Sequence, residues 1–112
     1  MQELRQAIRD FVHEREWEKY HSPRNLAMGL TIEAAELLEL FLWRPEGGSQ
    51  DLNESELRSL RHEIGDVMIY LVNLADRFDL DPVDCAREKL ALNREKYPVD
   101  KVKGSSRKYT EY

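Results

Sequence analysis

Four carboxylates are spaced for a divalent cation. Glu33-x-x-Glu36 and Glu63-x-x-Asp66 flank a Gly47-Gly48 turn signal. An i, i+3 spacing sets both acids of a pair on one face of a helix, about 60° apart around its axis. The index sums of 33 with 66 and of 36 with 63 are both 99. In an antiparallel hairpin turning at the glycines, Glu33 therefore faces Asp66 and Glu36 faces Glu63. Four anions drawn together repel, by up to about 4 kcal/mol per close pair at a surface-like dielectric. A cation is what holds such a group, and a carboxylate-only set suits the hard ions Mg²⁺ or Mn²⁺ in complex with phosphates. Glu-x-x-Glu alone is commonly a solvated helix face. Here two pairs fall level, and Glu33 and Glu36 interrupt an otherwise apolar run, where unpartnered carboxylates are costly.

Other chemistries fit less well. A di-iron carboxylate bundle needs Glu-x-x-His pairs, and His13, His21 and His62 are not spaced as ligands. No Gly-rich loop follows a strand pattern, which excludes P-loop and Rossmann phosphate binding. A second group, Trp17, Tyr20, His21, Asn25, Trp43 and Tyr70, offers aromatic faces to stack on a base and polar edges to read it. Core packing is the competing reading for the aromatics. Lys89, Asn93, Arg94 and Lys96 crowd one late helical stretch, where cations either complement a helix dipole or hold phosphates. Ser105-Ser106-Arg107-Lys108-Tyr109 could clamp phosphate or be a plain terminal tail.

Four helical segments must position these groups, and no strand pattern appears. The first runs from about Gln2 to Trp17 on an apolar stripe of Leu4, Ile8, Phe11 and Val12. Ser22 as N-cap and Pro23 at the first helical position open the second, which reaches about Trp43 before Pro45 and the glycines. Asn53 caps the third, with Glu56 completing a capping box, and the helix extends to about Phe78. Asp81-Pro82 starts the fourth, which ends at Tyr97 because Pro98 disfavours helix before it. On helix three Leu57, Leu60, Ile64, Val67, Leu71, Leu74 and Phe78 form a bundle-facing seam. Beside it runs a polar stripe of Glu63, Asp66, Tyr70, Asn73 and Arg77, the arrangement by which bundles build interior ligand sites. Helix two is apolar on more than one face, and a homo-oligomer is the simplest way to cover both.

The bulk properties agree. A chain of 112 residues is one all-α domain, residues 1–97, with a basic tail over 98–112 belonging to it. Net charge is −5 with 35% charged residues, so the body is no general binder of nucleic acid polymers. The tail is basic beside an acidic centre, which suits an anionic substrate complexed with a cation. Cys85 is the only cysteine and supports no intrachain disulfide. No signal-peptide pattern opens the chain, and the most apolar stretch, 26–43, is broken by three glutamates. These features point to a soluble, cytoplasmic protein without membrane partners.

The paired acids resemble the signature of the all-α nucleoside triphosphate pyrophosphohydrolases of the MazG type. More narrowly, Glu16-Trp17-Glu18, His21-x-Pro23-Arg24-Asn25-Leu26, Glu39-Leu40-Phe41-x-Trp43, Asp66-Val67 with Ile69-Tyr70-Leu71-Val72, Tyr97-Pro98 and Ser105 through Thr110 resemble the dCTP pyrophosphatase branch. The likeness covers nearly the whole chain after about Arg15. It implies a four-helix bundle-like protomer in a homo-oligomer, commonly a tetramer, that converts a nucleoside triphosphate to monophosphate and pyrophosphate with Mg²⁺. By motif, Glu33, Glu36, Glu63 and Asp66 would hold the metal. Trp17 and Trp43 would flank the base with His21, Asn25 and Tyr70 nearby, and Lys89, Asn93, Arg107 and Lys108 would contact phosphates or sugar. Two positions depart from the pattern. Ile32 stands where many MazG-type chains carry another Glu, so the water-activating base is left open. Glu39, three residues after Glu36, either fills that role or supports the ligands, and Glu36 and Asp66 are the other catalytic candidates. Ile8 stands where relatives of the dCTP branch can have a polar residue near the base. The same chemistry on dUTP or another non-canonical triphosphate, and a non-enzymatic helical binding module, are the alternative readings.

Overall fold

Among the described residues, 1–43 and 52–102 of a computed structural model, every regular element is helical. The helices are α1 (Gln2–Glu14), α2 (Pro23–Leu42), α3 (Glu54–Asp76), α4 (Pro82–Lys96) and a single short turn, α5 (Val99–Val102), with a 3₁₀ turn at Glu18–Tyr20 between α1 and α2. The expected caps are in place. Ser22 Oγ accepts from the backbone N–H of Asn25 at 3.1 Å, with Pro23 at the first helical position. Asn53 and Glu56 exchange both bonds of a capping box, at 2.8 and 3.0 Å. Asp81 accepts from the N–H of Val83 at 2.7 Å and opens α4. The Gly47-Gly48 turn lies outside the described residues.

Two boundaries differ from the sequence expectation. The first helix stops at Glu14, not Trp17, because Glu16 takes a left-handed φ of 53° and the next residues wind into the 3₁₀ turn. Past Pro98 the chain forms α5, where the sequence suggests only tail.

The antiparallel α2–α3 hairpin is the main packing unit, with α1 laid on α3 and α4 touching α3 lightly. Arg9 ties α1 down through a bidentate pair with Asp76, both contacts at 2.6 Å. That guanidinium holds the Asp76 carboxyl below its ordinary value, first by hydrogen bonding and then by charge.

The α3 seam is only partly covered within one chain: Leu60, Val67 and Leu74 are half-buried, and Leu57, Ile64, Leu71 and Phe78 are exposed. Among the described residues only Ile8, Val12, Leu26 and Val72 are buried hydrophobics, while Ile64 is 52% exposed and Phe78 58%. On α2, Leu38 is 56% exposed. The radius of gyration is 17.6 Å, against about 13 Å for a compact domain of this length. No helix among the described residues is long and apolar enough to cross a membrane.

Candidate active site

The hairpin brings carboxylates from its two arms together. One oxygen each from Glu33, Glu36 and Glu63 lies within 4.8 Å of the others. Glu33 and Glu63 are half-buried, and Glu36 is exposed. Glu33 Oε2 and Glu63 Oε2 are shielded from solvent with no hydrogen-bond donor. Burial first, then hydrogen bonding to Glu36 and Glu63 and the charges of Glu36 and Asp66, pushes the Glu33 carboxyl from 4.5 up to about 7. These oxygens lack a positive partner, and a divalent cation with oxygen ligands fits that need. Asp66 is exposed and stands outside the trio, although its charge still reaches Glu33. Glu39, one turn further along α2, is exposed and also outside it.

Asp66 instead lines a cavity of about 410 Å³ between α1, the 3₁₀ turn and α3. Its walls include Phe11 and Ile8 from α1, Trp17 and His21 from the connection, and Tyr70 and Asn73 from α3. Local structure explains how the connection aims its side chains. The Trp17 N–H donates to Val12 O at 3.1 Å, and Phe11 meets Trp17 edge-on at a centroid distance of 5.7 Å. His13 Nδ1 pairs with Glu18 Oε2 at 2.7 Å across the bend. That contact raises the His13 value and lowers that of Glu18, chiefly through the hydrogen bond. Asn25 Nδ2 donates to Tyr20 O at 3.0 Å and thereby fastens the 3₁₀ turn to α2.

Tyr70 is placed by an absence. A Cβ on Gly29 would overlap the Tyr70 ring, reaching 2.6 Å from Cζ, so only glycine lets the ring lie against α2. The polar stripe of α3 thus meets the cavity through Asp66, Tyr70 and Asn73. Of these, Asn73 is the one that motif reasoning passes over. Its spacing along the stripe is a signal, but its partner, His21, is too far away in sequence to be inferred.

Not every residue named from the sequence converges here. Trp43 is 86% exposed beyond the end of α2, and Lys89 and Asn93 lie on α4. Trp43, Asn25, Lys89 and Asn93 are not among the residues that line this cavity. Arg107 and Lys108 lie outside the described residues.

An all-helical hairpin that gathers acids from both arms beside an aromatic cavity is a bundle with a candidate metal site. A profile of the MazG-like family matches residues 29–112, and the chain belongs to that family. Its relatives include human dCTP pyrophosphatase 1, 42% identical over 99% of this chain and 66% of that protein. The bovine protein of the same name is 41% identical over 99% of this chain and 67% of the relative. The chain thus spans about two thirds of the length of these relatives. A solved structure of a pyrophosphatase from Archaeoglobus fulgidus superposes with a TM-score of 0.77 at 38% identity, covering 88% of this chain and 92% of that one.

Proposed function

We propose that this protein is a Mg²⁺-dependent nucleoside triphosphate pyrophosphohydrolase, with dCTP or a 5-substituted dCTP as its substrate. The observation that carries this reading is the acidic trio, with two shielded and unpartnered oxygens, next to an aromatic cavity that Asp66 also lines. The names of the relatives support the reaction and the base.

Glu33, Glu36, Glu63 and Asp66 would hold the metal, Mg²⁺ or in its place Mn²⁺. A bound divalent ion supplies Lewis-acid neutralisation of charge on the substrate phosphates. The chain's own residues do the rest. Trp17 and Tyr70 offer ring faces to the base, and His21 offers a hydrogen-bonding edge. Asp66, on the cavity wall and in electrostatic reach of Glu33, links the base site to the acids. Water attacks the α-phosphorus in line, the bond to the α–β bridging oxygen breaks, and pyrophosphate leaves from the nucleoside monophosphate. Glu36 and Glu39, exposed on successive turns of α2, would orient that water and take its proton. Asn25, Trp43, Lys89, Asn93, Arg107 and Lys108 complete the base, sugar and phosphate contacts in this reading. The uncovered seams of α2 and α3 support assembly into a homo-oligomer, with a tetramer expected.

The test is pyrophosphate release across canonical and 5-modified dNTPs and NTPs, with Mg²⁺ and with chelator. Release that needs Mg²⁺ and peaks on dCTP or its 5-substituted forms is the expected outcome. A peak on dUTP or another triphosphate would keep the metal site and discard the base assignment. No release from any triphosphate by folded protein would leave a helical binding module.

A further inference from the structure

We propose that Asn73 is a positioning residue that fixes the tautomer of His21, so that the cavity presents a fixed imidazole N–H to a lone pair on the base. The base as ligand rests on the function proposed above; the tautomer itself does not.

The two residues are far apart in sequence and meet across the cavity wall. His21 closes the 3₁₀ turn, Asn73 sits on α3, and Asn73 Nδ2 lies 3.1 Å from His21 Nδ1. An amide nitrogen has protons to give and no lone pair to accept with, so Nδ1 is the acceptor. In the neutral ring the proton is then on Nε2. Both side chains are half-buried, and both line the cavity with Trp17 and Tyr70. The backbone beneath His21 is held as well. The His21 N–H donates to Glu18 O at 3.0 Å, and Asn25 pins Tyr20 O at 3.0 Å.

The facing wall makes this donor matter. Ile8, Phe11 and Val12, contributed by α1, carry no hydrogen-bonding side-chain atom. A base seated there meets few directional groups, and an imidazole locked as a donor biases the choice. Cytosine presents lone pairs at both O2 and N3, whereas uracil and thymine carry a proton on N3. Uracil and thymine accept at O2 and O4 only, so a fixed donor favours cytosine where it meets the base at N3.

The experiment reads the histidine ring directly. Long-range ¹H–¹⁵N spectra of the metal-free protein at pH 8 report each imidazole tautomer, and a His21→Gln spectrum identifies the His21 signals. We expect wild type to show His21 protonated on Nε2 and Asn73→Leu to show a mixture. Asn73→Asp, whose carboxylate can only accept, should move the proton to Nδ1. In steady-state assays Asn73→Asp, which moves the proton off Nε2, should raise KM for dCTP about tenfold with kcat within about twofold, the loss of one well-placed hydrogen bond. Asn73→Leu should raise it less, because part of the ring keeps the donor. KM for dUTP should move less. Packing alone would shift the melting temperature without moving the tautomer. A wild-type ring protonated on Nδ1, or already mixed, would overturn the proposal even if Asn73→Leu cannot be purified. So would an unchanged KM for dCTP in a variant whose tautomer has changed. Should wild type hydrolyse no triphosphate, the enzyme reading and the base as ligand fall, while the spectra still decide what Asn73 does to His21.

Discussion

Replacing Glu33 with Gln should stabilise the protein when metal is absent and weaken it when metal is present. In the absence of a cation the Glu33 carboxyl is held at about 7 against an ordinary 4.5, mainly by burial and then by Glu36 and Glu63. A carboxyl raised in this way favours the fold while protonated. Its contribution is full below about 4.5, declines as pH rises, and is gone above about 7. At about 1.4 kcal/mol per tenfold the displacement is worth about 3 kcal/mol. Glu33 is only half-buried, and solvent screening brings the effect down to about 1–2 kcal/mol. Glu33→Gln removes the charge and keeps the shape. At pH 8 in chelator the variant should therefore melt above wild type, by roughly 4–8 °C for each kcal/mol in a domain of about this size. At pH 4, where wild type is itself protonated at this position, the two should nearly coincide. Adding Mg²⁺ should reverse the order. Wild type gains about 2.7 kcal/mol at a hundredfold excess over Kd, and the variant gains little. The assay is thermal melting by circular dichroism at both pH values, with chelator and with Mg²⁺. A variant that melts below wild type at pH 8 in chelator would refute the reasoning, as would an equal difference at pH 4.

Three further outcomes are expected. Asp66→Asn and Glu36→Gln should each abolish pyrophosphate release while far-UV circular dichroism stays helical; near-native turnover in either would remove that residue from the metal set. Gly29→Ala should cost about 1–3 kcal/mol in denaturant unfolding through overlap with the Tyr70 ring, and adding Tyr70→Leu should relieve part of that loss. Asn53→Ala should cost about 1 kcal/mol by opening the capping box at the start of α3, visible as a lower melting temperature with unchanged turnover.

The helix starts were legible in the sequence because caps are local chemistry. Ser22-Pro23, Asn53 with Glu56 and Asp81-Pro82 each announce a first turn without knowledge of the rest of the chain. The convergence of acids was legible too, since equal index sums in a hairpin are pure geometry. What this geometry could not give is the azimuth of each side chain, and so the tight group is Glu33, Glu36 and Glu63 while Asp66 turns to the cavity. The early end of α1 was hidden because Glu16 adopts its left-handed φ without the glycine that usually signals one. The α3 seam was legible as a stripe but not in what covers it. Periodicity says that a stripe wants to be covered, not which chain covers it. The His21–Asn73 contact spans 52 positions and leaves no local trace.

The approach that Gly29 permits also governs motion. A tyrosine ring turns over about its Cβ–Cγ axis only when its surroundings open. On its α2 side Tyr70 rests against the backbone at Gly29. Its turnover must therefore wait for α2 and α3 to draw apart, which ties the rate to a collective movement of the hairpin rather than to a rotamer hop. The span of the cavity on that side is a main-chain dimension. On the proposed function, Tyr70 would have no room to swing towards α2 for a larger base, and size selection would rest in part on where Gly29 stops the ring.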